Sequence, residues 1–266
     1  MGTKMTNAPV YFTIAQVRYN PVLSLESYVA DIQESLRKVG YPDFKRTTAL
    51  TFNIGSLASN DKPQEQPHSL RVEQFTFSNM ACTQGFILEQ NALSFQSTEY
   101  DAFESFSGEF LKGIEIVHQA ILLDFSERVG IRYLDAVVPA DGEKGLPQYL
   151  ATEVLGLTRR LGDDMPVSIS FSETHIRTSV GNVLSRTIIQ SSQLGFPPDL
   201  RPIGLKVAER FAKVSGVHAI IDTDGSYEKR EPFDLGTLKG KLRALHDEII
   251  KVFEATVTKH ALNVWK

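Results

Sequence analysis

RVGIRYLDAVVP, residues 128–139, is the stretch of this 266-residue chain on which the fold turns. It is a short apolar run rich in β-branched residues and closed by Pro139, so it reads as a strand over 128–138. It comes directly after a long amphipathic segment, 101–122. There Phe103, Phe106, Phe110, Ile114, Val117 and Ile121 share one helical face, and Glu104, Glu109, Lys112 and Glu115 lie off it. A strand placed here begins a second series of elements.

The first series is read upstream. Residues 10–19 alternate as a strand, with Val10, Phe12 and Ile14 on one side, and Asn20-Pro21 stops it. Ser24 is positioned to cap a helix carrying Leu25, Tyr28, Val29, Ile32, Leu36 and Val39, which Gly40 and Pro42 end. Strands follow at 47–54, 71–77, 85–89 and 92–98. Between the first two, the polar residues 55–69, with Pro63 and Pro67, read as an exposed excursion. Downstream, Pro147 opens a short helix, and 167–178 and 183–191 form a hairpin about Val180-Gly181-Asn182. A stiff connection at 195–201 contains Pro197 and Pro198. A short helix over 204–214, a strand over 217–222 and one long helix over 235–264 complete the chain.

Both halves thus run strand, helix, antiparallel strands, long helix. The expectation is an α+β protein of two pseudo-repeated units, residues 1–126 and 127–266, whose sheets join into one saddle or curved sheet within a compact double domain. A doubly wound parallel fold fits badly, because several strands follow one another through short turns.

Four segments carry a resemblance: VRYNPV at 17–22, GIRYLDAV at 130–137, GFPPDL at 195–200 and HAIIDTDG at 218–225. With the long C-terminal helix, they resemble a sporadically distributed bacterial family of conserved hypothetical proteins, over nearly the whole chain. The resemblance implies a cytoplasmic prokaryotic protein of two α+β units and no assigned activity. Sporadic distribution is common among mobile genes, including phage defence and toxin–antitoxin systems, and the resemblance implies a defence or regulatory role of that kind.

Composition narrows the classes. A single cysteine, Cys82, excludes an intrachain disulfide and a multi-cysteine zinc site. A net charge of −4 argues against a protein built to coat nucleic acid or an anionic membrane. No apolar run approaches the ~18 residues of a membrane span, and the N-terminus lacks a signal-peptide pattern, so a cytoplasmic location is expected.

The most suggestive polar cluster is Asp222, Asp224 and Glu228. Strand alternation puts the two aspartates on one face, where paired oxygens can hold Mg²⁺ or Ca²⁺. The plainer reading is a strand end running into an Asp224-Gly225 turn, and it is preferred. Glu173 and His175 alternate on one strand, where a carboxylate can raise an imidazole's pKa, but they read as solvated surface. Arg132 and Tyr133 interrupt an apolar run. Arg132 can grip a carboxylate or phosphate in two-pronged fashion, and an acidic neighbour on the sheet is the expected partner. No phosphate-binding glycine loop, nucleophile elbow or paired-histidine helix is present, so no cofactor and no catalysis are expected. The expected function is binding or regulation, with another protein or a second copy as partner. The alternatives are a small-molecule binder or hydrolase with a sheet–helix cavity whose polar end is Asp222 and Asp224, and nucleic-acid binding on a saddle, which the net charge disfavours.

Overall fold

The computed structural model describes residues 6–52, 69–140, 142–161 and 164–266. The excursion expected at 55–69 lies outside these, apart from its last residue.

The protein is α+β. Among the described residues nine strands form one antiparallel sheet: β1 (Val10–Tyr19), β2 (Asp43–Phe52), β3 (Ser69–Ser78), β4 (Gln84–Glu89), β5 (Ala92–Ser97), β6 (Phe125–Val137), β7 (Ile169–Arg177), β8 (Asn182–Gln193) and β9 (Ser215–Pro232). Their spatial order is β2-β3-β4-β5-β1-β6-β9-β8-β7. The opening strands of the two halves, β1 and β6, lie side by side in the middle. Each pairs outwardly with the last strand of its own half, β5 or β9.

Helices α1 (Leu25–Lys38), α2 (Phe103–Ile121) and α5 (Leu235–Thr256) cover one face of the sheet. Apolar spacing decides which way each turns: Val29, Ile32 and Leu36 of α1, Phe106, Phe110 and Ile114 of α2, and Leu238, Leu242 and Leu245 of α5 all point at the strands. Short helices α3 (Thr152–Leu155) and α4 (Glu209–Ala212) and the terminal α6 (Lys259–Trp265) complete the fold.

Several local expectations are corrected. Ser24 makes no side-chain cap, and its carbonyl instead accepts from the Ser27 hydroxyl at 2.8 Å. A bulge in β1 between Val10 and Phe12 breaks the alternation, so Tyr11 and Phe12 both face away from the helices while Val10 packs on the helix side. The helix read over 204–214 shrinks to α4. The long last helix breaks at Val257, which is extended, and Thr258 caps α6 by accepting from the Ala261 amide at 3.2 Å.

The largest correction concerns Gly225. No turn follows Asp224: β9 continues through it to Pro232, and Gly225 lacks the positive φ of a turn glycine. A glycine suits this position because α5 lies against the strand. A Cβ there would sit 2.9 Å from Cδ1 of Ile249. Gly225→Ala is therefore expected to lower stability by about 1–2 kcal/mol in urea unfolding, as mild overpacking does. An unchanged midpoint would mean that Ile249 simply swings aside.

Candidate functional site: a cavity between sheet and helices

Strand alternation divides the residues singled out in the sequence between the two faces. Arg132, Asp222 and Asp224 face away from α5, and Tyr133 and Thr223 face toward it.

On the outer face, Arg132 grips Asp222 with two bonds, Nε to Oδ1 at 2.7 Å and Nη2 to Oδ2 at 2.8 Å. Its remaining edge reaches Asp199 at 2.9 and 3.2 Å. Arg186 from β8 approaches Asp222 and Asp199, each at 3.4 Å. Three of the four familiar segments thus meet in one ion cluster. Burial works against the Arg132 charge, but its bonds to Asp222 and Asp199 outweigh that and hold its pKa above the ordinary value. The same arginine holds Asp199 down to about 2.

The cluster fastens residues 195–206 across this face of the sheet. The Tyr11 hydroxyl donates to the Gly195 carbonyl at 2.8 Å. The Gln96 amide and the Ile203 backbone exchange two bonds, at 2.6 and 3.0 Å. The Thr98 hydroxyl donates to the Lys206 carbonyl at 2.6 Å, and the Lys206 amide to that of Cys82 at 2.7 Å. Phe196, Leu200 and Phe211 cover Tyr11, Phe12, Leu134 and Ile220 beneath. This is an anchored strap, which accounts for the GFPPDL segment in structural terms.

The remaining outer-face residues are also directed at arginines or solvent. Arg128 lies 3.9 Å from Asp224 and 3.3 Å from Glu228. Burial raises the Asp224 pKa, with Arg128 opposing it. Asp222, Asp224 and Glu228 do not converge, and among the described residues no three metal-ligating side chains do. Glu173 and His175 pair at 2.8 Å on the exposed face of β7, where Glu173 is 3.7 Å from Arg186.

On the helix side, a cavity of about 630 Å³ lies between the start of α2, the middle of α5 and the strands beneath. Its polar end is formed by Asp135, Tyr133 and Thr223, not by Asp222 and Asp224. Asp135 is 4% exposed, and no described residue donates a hydrogen bond to its carboxyl. Burial, with Asp222 adding repulsion through the sheet, pushes its pKa up to about 8. The Thr223 hydroxyl, on a residue 1% exposed, has no hydrogen-bond partner among the described residues.

Tyr133 is tied to α5 and to the turn before α2. Its hydroxyl is 3.0 Å from Nδ1 of His246 and 3.5 Å from the Tyr100 hydroxyl. Burial raises the Tyr133 pKa well above the usual phenol value and lowers that of His246 to about 4, so both are neutral near pH 7. The His246 ring stacks on Phe103 at 4.1 Å. Phe103, Ile249, Ile250, Phe253 and Leu262 supply the apolar walls.

The sequence reading picked out Tyr133 and missed Asp135, Thr223 and His246. The signal for Asp135 was present: in GIRYLDAV it stands two residues beyond Tyr133, an acid in an otherwise apolar strand.

No family model, no curated protein and no solved structure matches the chain.

Proposed function

We propose that this is a non-enzymatic protein that binds a small organic molecule in the cavity between its sheet and its helices. The observation that carries the reading is the polar end of that cavity, where the buried Asp135 carboxyl, which receives no hydrogen bond from a described residue, and the buried Thr223 hydroxyl, which has no partner among them, face about 630 Å³ of space. Buried polar groups are nearly always satisfied, so a carboxyl and a hydroxyl at the end of a ligand-sized apolar cavity favour a polar occupant there. Binding is favoured over catalysis because the hydroxyl touching His246 is a buried phenol of raised pKa, a poor nucleophile, and the imidazole is neutral.

The same reading takes the two halves as copies of one unit joined through β1 and β6 into a saddle. The common order of elements supports this, as does the matching place of β1 and β6 beside the last strand of each half. No helix among the described residues is long and apolar enough to cross a membrane, which is consistent with the proposed cytoplasmic, regulatory setting. A protein partner is supported separately by β7, an edge strand that leaves Ile169 and Phe171 largely exposed.

Native mass spectrometry of protein purified from its producing cells tests the ligand. The expected spectrum carries an adduct of small-molecule mass that is lost on denaturation. It is also absent from Thr223→Phe, whose ring fills the polar end, provided that the variant unfolds cooperatively. A bare polypeptide mass for the wild type, with no change in thermal midpoint across a metabolite panel, would count against a ligand.

A further inference from the structure

We propose that the ligand is an organic cation, a protonated amine on an apolar body, whose ammonium group is received by the Asp135 carboxylate. The inference rests on the cavity reading above and adds the chemistry of the occupant.

The first argument is the state of Asp135. A carboxylate that is 4% exposed ordinarily has a cation or several donors beside it. Here two of the basic side chains lining the cavity are engaged elsewhere. Arg243 is bound to Glu104 at 2.8 Å and lies over the Phe103 ring at 4.7 Å. Lys251 is bound to Glu248 at 2.7 Å. Among the described residues none forms an ion pair with Asp135, and a cation bound in the cavity would supply one.

The second argument is the surrounding charge. From α5 the cavity receives Arg243, Asp247, Lys251 and Glu254, together with neutral His246. From the start of α2 and the turn before it come Tyr100, Asp101 and Glu104, and from the C-terminus Lys266. From β6 and β9 come Tyr133, Thr223 and Asp135 itself, with Asp222 behind the sheet. Among the described residues, carboxyl groups outnumber basic groups on this lining, which disfavours an anion. The α2 N-terminus, which would also draw anions, is already served: the Glu104 carboxylate bonds its own backbone amide and Arg243.

The third argument is shape. Asp135 and Thr223 offer an acceptor and a hydroxyl at the polar end, which together suit an ammonium with its several donors. Beyond them Phe103, Ile249 and Phe253 form an apolar wall that suits a hydrocarbon or aromatic body.

Protonation supplies a second readout. Near pH 7, without a cation beside it, Asp135 is mostly the neutral acid. Receiving an ammonium requires the carboxylate, so binding releases a proton to the buffer.

The experiment is calorimetric titration of the full chain with three probes of like shape: phenethylamine, phenethyl alcohol and 3-phenylpropionate. Phenethylamine is expected to bind at least about thirtyfold more tightly than either of the others, the scale of a buried charge pair. In buffers of different ionisation enthalpy it should release up to one proton at pH 7. In Asp135→Asn both the preference and the proton release should vanish while the protein stays folded. Tighter binding of the alcohol or the carboxylate would overturn the cation and leave the cavity reading intact. Failure of all three to bind would overturn both.

Discussion

Asp222→Ala is expected to cost about 3–5 kcal/mol of folding stability, the scale for leaving one member of a buried ion pair without its partner. Asp222 has no exposed side-chain surface, and Arg132 is 9% exposed. Without the carboxylate, the Arg132 and Arg186 guanidinium groups face each other with only half-exposed Asp199 between them. The loss should also loosen residues 195–206, since Asp199 is held through the same arginine. Asp199→Ala removes a partner that water replaces and should cost no more than about 1 kcal/mol. Guanidinium unfolding of the two variants compares them directly. Similar small losses in both would show that the cluster contributes little to stability.

Asp135→Asn is expected to stabilise the protein, increasingly with rising pH. In the unfolded chain this carboxyl titrates near its ordinary 3.8, and in the fold near 8. Below pH 4 both states hold the proton and the residue costs nothing. Between pH 4 and 8 the unfolded chain gives the proton up while the native state retains it, so stability falls with pH. Above 8 the native state carries a buried charge and the cost is complete. The amide never ionises. The variant should therefore gain about 3 kcal/mol over the wild type at pH 9, allowing for an imperfectly bonded amide, and little at pH 4. A gain independent of pH would place its origin in packing. Function offers a reason for the wild type to tolerate this cost, because recognition groups are commonly held at the expense of stability.

Much of the architecture was legible in the sequence, because period and punctuation are local. Phe103, Phe106 and Phe110 could only be one helical face, and Asn20-Pro21 and Pro139 could only be strand ends. Residues that depend on a distant neighbour were harder. Gly225 looks like a turn glycine until α5 is laid against β9, since nothing nearby in sequence announces Ile249. The β1 bulge at Tyr11 is likewise set by pairing with β6, not by the strand's own pattern. Among candidate residues, Arg132 was readable as one half of an ion pair because a charge in an apolar strand needs a partner. Its partner Asp222 is 90 positions away and was read as a turn or metal residue. The cavity was the least legible, because its polar groups Asp135, Thr223 and His246 come from three separate elements.

The most direct test follows the Asp135 carboxyl itself, by ¹³C NMR of protein labelled at aspartate side chains, with Asp135→Asn giving the assignment. In the free protein the carboxyl should titrate near pH 8. With saturating phenethylamine its midpoint should fall by more than a unit, because the bound ammonium favours the carboxylate. Titration in the ordinary carboxylate range without the amine, or a midpoint unmoved by it, would contradict the account.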